Sequence, residues 1–251
     1  MPPAADPRPG TGEYLGELAA RIEGAGPPVV LLHGNSEDWS VFDAVIPLLD
    51  GFTTISLDSR GHGRSPRGNK ALSLRQLAID TCRAMLEYRA RCAGGRPVTF
   101  GLIGFSDGAN IGLEIAVHRP DLLAAQVLLG GNVTPAALRP LTNAGILVAY
   151  WATRVAGAVS AGARHRSQVL GLMVGQPNVT RAQLEAVSVP TMVMVGQRDV
   201  VPRRESQRVA QLIPGAEWVE LTGQGHMLPR SAPKLVAELA SGFLGPRLVG
   251  G

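Results

Sequence analysis

The chain has 251 residues, 45% of them hydrophobic, 18% charged and only 4% aromatic, enough for one large α/β domain packed mainly by Ala, Val, Leu and Ile. Its 31 Gly and 19 Pro lie near the background for a loop-rich protein, which excludes collagen-like and generally disordered classes. The formal charge of +4 comes from arginines scattered along the chain without aromatic platforms beside them, which argues against nucleic-acid binding.

Residues 1–12 are Pro-rich and lack the apolar core of a secretion signal, so a flexible arm and a cytoplasmic protein are expected. Residues 29–32 (Val-Val-Leu-Leu) form the first unbroken apolar run and predict a buried strand, followed by a helix over 39–49. A second strand is expected over 52–57, then a Gly- and Arg-rich loop, Asp58-Ser59-Arg60-Gly61-His62-Gly63-Arg64-Ser65. Leu74, Leu77, Ala78, Thr81 and Met85 recur at three- and four-residue spacing and predict an amphipathic helix over 72–91. Cys82 and Cys92 fall in that stretch, ~15 Å apart along a helix and beyond the ~7 Å reach of a disulfide, so both are expected to be free thiols.

Strands are expected over 98–103 and 125–129 with a helix over 107–118 between them, then strands over 191–195 and 217–221 around a helix over 203–212, and a closing helix over 232–244. Continuous apolar strands alternating with helices specify an α/β architecture with a doubly wound, mostly parallel sheet. The alternation breaks over 133–187, an Ala-rich stretch of helical preference, read as a small helical cap insertion. The core is then 13–132 together with 188–251. Within the insertion, residues 144–163 come nearest to a membrane span, but Arg154 interrupts them and no integral membrane segment is expected.

Gly104-Phe105-Ser106-Asp107-Gly108 sits between the strand over 98–103 and the helix over 107–118. A G-x-S-x-G turn in that setting presents a serine at a sharp bend, at the sheet edge and at a helix N-terminus that favours developing negative charge. A serine hydroxyl needs a base, and the base needs an orienting acid. Asp199 directly follows the strand over 191–195, and His226 follows the strand over 217–221, so all three are expected at the C-terminal ends of strands. The competing loop, Gly130-Gly131-Asn132, has no carboxylate. The backbone N–H groups of Asn35, in the turn His33-Gly34-Asn35-Ser36, and of Asp107 are the expected oxyanion donors, with Ser36 as the near alternative and His33 as a brace.

The His33-Gly34 turn, the loop over 58–65, the Ser106 elbow and the Asp199 and His226 loops, in this order, resemble those of the α/β-hydrolase fold superfamily over residues 29–244. The resemblance implies a serine hydrolase with a Ser-His-Asp triad, no metal and no organic cofactor. Serine at the centre of the elbow argues against the Asp-nucleophile epoxide hydrolases and dehalogenases of that superfamily. The substrate expected is a small-molecule carboxylic ester or related acyl compound, cleaved through an acyl-enzyme on Ser106. The alternatives are carbon–carbon hydrolysis, lactone opening, perhydrolysis or aminoacyl-ester hydrolysis on the same triad, and a ligand-binding receptor on the same fold. Asp107 is either an acid favoured by the helix N-terminus or a partner for a substrate amine, as in the valacyclovir-hydrolase-like members whose Ser-Asp-Gly-Gly elbow Ser106-Asp107-Gly108-Ala109 resembles. Ser36, Leu147, Tyr150, Trp151 and Met173 are the expected lining of the substrate pocket. Oligomeric state is not legible.

Overall fold

A computed structural model describes residues 13–92 and 98–249; the N-terminal arm read from the sequence lies outside them. In chain order the elements are β1 (Glu13–Leu15), β2 (Leu18–Gly24), β3 (Pro28–Leu32), β4 (Thr53–Leu57), α1 (Leu74–Cys92), β5 (Phe100–Phe105), α2 (Asp107–His118) and β6 (Leu123–Leu129). Then follow α3 (Pro140–Ala156), α4 (Ala161–Gly175), α5 (Arg181–Glu185), β7 (Thr191–Gly196), α6 (Arg203–Leu212), β8 (Glu217–Leu221), α7 (Leu228–Ser231) and α8 (Pro233–Val249). The strands form one eight-stranded sheet in the order β1-β2-β4-β3-β5-β6-β7-β8. β1–β2 and β2–β4 pair antiparallel; all other neighbours are parallel.

Alternation along β3 explains the two-sided core. Val30 and Leu32 point into a cluster with α1, α2 and α6, while Val29 and Leu31 point into one with α8 and the 39–49 segment. Both faces are covered, which is why the central strands read as unbroken apolar runs.

The expected helix over 39–49 is instead two 3₁₀ turns, Trp39–Phe42 and Ile46–Leu48. Pro47 has no N–H to donate and its ring would clash with the carbonyl one turn back, so an α-helix does not run through it, while the start of a short 3₁₀ turn tolerates it. Asp38 caps the first turn by accepting the Ser40 N–H at 2.8 Å.

β1 and β2 do not read as strands in the sequence, since Glu13 in β1 and Ala19, Ala20 and Glu23 in β2 give them weak strand character. β1 pairs with β2 and β2 with β4 by backbone hydrogen bonds, and together they bury Leu15, Leu18 and Ala20. Cys82 and Cys92 are free. Among the described residues no helix is long and apolar enough to cross a membrane.

Candidate active site

Ser106 occupies the bend between β5 and α2 with φ 54° and ψ −115°, a region L-residues rarely adopt and hold only when their surroundings fix it. The flanking glycines make the bend possible. A Cβ on Gly104 would lie 2.3 Å from the Gly108 carbonyl oxygen, and one on Gly108 would lie 2.0 Å from that of Leu32. The Ser106 N–H donates to Leu129 O at 2.8 Å, tying the bend to β6.

His226 and Asp199 arrive from the loops after β8 and β7. Asp199 is fully buried; its Oδ1 accepts from His226 Nδ1 at 2.7 Å and from the Val201 N–H at 3.0 Å. A carboxylate only accepts, so the imidazole proton sits on Nδ1 and Nε2 is left to accept from Ser106 Oγ, 3.2 Å away. The result is a continuous hydroxyl–imidazole–carboxylate chain, which can move a proton off the hydroxyl as the imidazole becomes charged beside a fixed anion. Gly130, in the loop after β6, lies against this chain. Its φ is +60°, and a Cβ there would sit 2.9 Å from both Cε1 and Nδ1 of His226.

The first loop is pinned beside Ser106. A Cβ on Gly34 would stand 3.1 Å from Ser106 Cβ. His33 donates from Nδ1 to Gly34 O at 2.7 Å and accepts the Ser59 N–H on Nε2 at 2.9 Å. Burial lowers its pKa to about 4, so it is a neutral brace between two loops. The Asn35 side chain donates to Asp107 Oδ2 at 3.0 Å and to Val169 O of α4 at 2.8 Å, joining this loop to both the elbow and the helical segment above. Among the described residues, no protein group accepts from the N–H of Asn35 or of Asp107, as the geometry of a loop end and a helix start allows. Ser36 adopts φ 60° and donates its hydroxyl to Asn35 Oδ1 at 2.9 Å.

A cavity of about 270 Å³ opens over Ser106 and His226, with Phe105, Val200 and Met227 contributed by the core. The helical segment between β6 and β7 contributes Leu138, Thr142, Ile146 and Met173. Of the pocket residues expected from the sequence, Met173 lines this cavity and Ser36, Leu147, Tyr150 and Trp151 do not. The correction follows from helical geometry: Thr142 and Ile146 share one face of α3, and Leu147 is turned ~100° from Ile146. Leu147 and Trp151 are exposed, and Tyr150 packs edge-on against Trp151 with ring centroids 5.3 Å apart. Ser36 directs its hydroxyl to Asn35 Oδ1.

Among the described residues two carboxyls, Glu37 and Asp107, line the cavity and no Lys or Arg does. Asp107 is buried, which raises its pKa, although its oxygens accept from Asn35 at 3.0 Å and Asn110 at 3.4 Å. Glu37, not singled out by the sequence, has its pKa raised by burial, and its Oε2 has no hydrogen-bond partner among the described residues. Its nearest cation is Arg230, 4.0 Å from Oε1. Among the described residues no group of three or more His, Cys, Asp and Glu is placed to hold a metal ion.

The fold is similar to that of a hydrolase crystal structure from Pseudomonas aeruginosa, with a TM-score of 0.75 over 95% of this chain and 100% of that one at 22% identity. A 2-(acetamidomethylene)succinate hydrolase of Mesorhizobium japonicum is 33% identical over 113 residues, which are 45% of this chain and 38% of that protein. A protein of Pseudomonas savastanoi pv. phaseolicola, named as a candidate carbamate hydrolase, is 27% identical over 241 residues, with 82% of this chain and 89% of that one aligned. The chain thus spans well under half of the first of these curated relatives and most of the second. The model of the alpha/beta hydrolase family matches residues 29–239, which take in the sheet from β3 to β8 and leave out β1 and β2; the chain belongs to that family.

Proposed function

We propose that this protein is a serine hydrolase cleaving carboxylic esters of small molecules, with residues 133–187 as a helical cap over the site. Ser106 Oγ attacks the ester carbonyl while His226 Nε2 takes its proton, and Asp199 stabilises the imidazolium. The backbone N–H groups of Asn35 and Asp107 hold the oxyanion of the tetrahedral intermediate. His226 returns the proton to the departing alcohol, leaving an acyl group on Ser106. Water, deprotonated by the same imidazole, then releases the acid. The observation that carries this reading is the pair of contacts at 3.2 Å and 2.7 Å linking Ser106, His226 and Asp199 beneath the cavity.

A second reading, an aminoacyl-ester hydrolase, is favoured by the unpartnered Oε2 of Glu37 and by the lack of a cation in the lining. A cavity with two carboxyls and no Lys or Arg disfavours an anionic acyl group and suits a neutral one or one bearing a hydrogen-bond donor.

One experiment tests both: kcat/KM for nitrophenyl esters from acetyl to dodecanoyl, with a succinyl and an aminoacyl member. A cavity of about 270 Å³ holds only short chains. Activity is therefore expected to peak among short acyl groups, gaining at most ~4-fold per buried CH₂, and to fall by dodecanoyl. The succinyl ester is expected well below the butanoyl ester. Hydrolysis of no member above the buffer rate overturns the esterase reading. Equal rates for aminoacyl and matched des-amino esters remove the second.

A further inference from the structure

Helix α3 is anomalous for a helix in a folded domain: none of its 17 residues is buried. Its inner edge contributes Thr142 and Ile146 to the cavity, and the rest faces outward. Leu141 is 90% exposed, Val148 70%, Trp151 57% and Val155 75%, with Val159 just past the helix at 93%. Their spacing of three, four and seven residues puts Leu141, Val148, Trp151 and Val155 on one side of the helix. Ala144, Leu147 and Ala152 beside them are exposed too, so the apolar face is broader than the narrow seam that pairs two helices. Contiguous exposed apolar surface of this kind marks an interaction site.

Charge identifies what covers it. From Asp121 to Glu185 the chain contains no intervening carboxylate, yet it carries Arg139, Arg154, Arg164, Arg166 and Arg181. Arg154 lies over the rings of Tyr150 and Trp151, 6.0 Å and 5.8 Å from their centroids. Arg164 donates to Gly157 O at the α3–α4 corner. Among the described residues neither these two nor Arg166 forms a salt bridge. A second copy of this face would bring arginines to arginines with no counter-charge. An anionic lipid surface supplies both an apolar layer for Leu141, Val148, Trp151 and Val155 and phosphates for the guanidinium groups; tryptophan flanked by arginine suits such a boundary.

We propose that the outer face of α3, with the basic α3–α4 corner, docks peripherally on an anionic phospholipid bilayer surface. The docking stands on the surface alone and does not depend on the ester chemistry. The test is co-sedimentation of the full chain with vesicles of phosphatidylcholine, with and without phosphatidylglycerol, read together with tryptophan emission. Binding is expected to be more than ~10-fold stronger on the anionic vesicles and to weaken with salt. Val148→Ser with Trp151→Ser is expected to abolish binding and the accompanying blue shift while leaving hydrolysis of a soluble ester unchanged. Arg154→Gln, Arg164→Gln and Arg166→Gln together are expected to remove the preference for anionic lipid. Absence of binding to either vesicle, or equal binding to both, overturns the proposal. So does a concentration-dependent dimer that the Val148–Trp151 variant dissociates, which would make a second copy the occupant.

Discussion

Ser106→Ala is expected to lower kcat on the best nitrophenyl ester by ~10⁴-fold or more, with thermal stability within ~0.5 kcal/mol of the parent protein. The two halves of this prediction rest on different contacts. Among the described residues the hydroxyl bonds only to His226 Nε2, at 3.2 Å, and that ring lines the cavity, where water can replace the lost donor. Alanine has the same Cβ as serine and meets the same backbone at φ 54°, so the strain of the bend is unchanged. The elbow's shape is held instead by Gly104, Gly108 and the Ser106 N–H bond to Leu129 O, none of which the substitution touches. On the proposed mechanism, what is lost is the nucleophile. The residual rate is expected from oxyanion donors and binding alone, which still act on water attack. Steady-state kinetics with thermal unfolding of the same samples checks it. A fall in activity matched by a comparable fall in stability would point to damage rather than chemistry.

Asp80→Ala is expected to be the most destabilising of the single changes considered, by about 3–5 kcal/mol in urea unfolding. Arg60, among the largest fully buried side chains, lies in the Gly- and Arg-rich loop after β4. Its Nε donates to Asp80 Oδ2 at 2.6 Å, and Asp80 Oδ1 accepts from Gln76 Nε2 at 2.9 Å. A further guanidinium nitrogen bonds Glu17, whose side chain is half exposed. Removing Asp80 leaves the buried cation with that partly solvated carboxylate and a long bond to the Arg67 carbonyl, and breaking one side of a buried pair costs far more than its net contribution. The loop carries Asp58, which accepts from Trp39 N–H at 2.8 Å, and Ser59, which donates its N–H to His33. Loosening it therefore reaches the His33–Ser36 loop beside Ser106 as well. A loss below ~1 kcal/mol would show that water replaces the carboxylate at Arg60.

What the sequence made legible follows from where physical constraint is local. Strands buried on both faces appear as apolar runs, and α6 and β8 were bounded to the residue over 203–212 and 217–221. Ser106, Asp199 and His226 each follow a strand directly, so chain order alone assigned them to one edge. The loop over 58–65 could be quoted as a motif, but its role was hidden: Arg60 acts through Asp80, a partner 20 residues away on α1. β1 and β2 were missed because their pairing, not their composition, makes them strands.

The pocket was the least legible part. Apolarity singled out Leu147, Tyr150 and Trp151, but one helical step separates a lining position from an outward one, and only packing against α4 fixes the rotation. Glu37 escaped notice because a glutamate in a turn looks like a solvated charge until the cavity around it is known.

The most direct measurement of the central claim is the intact mass of the protein after brief mixing with a slowly deacylated nitrophenyl ester, followed by peptide mapping. The account predicts one acyl group per chain, on the peptide containing Ser106, formed in a burst with the nitrophenol and absent from Ser106→Ala. Turnover with no acyl adduct, or an adduct that persists on another residue in Ser106→Ala with parental rates, would contradict it.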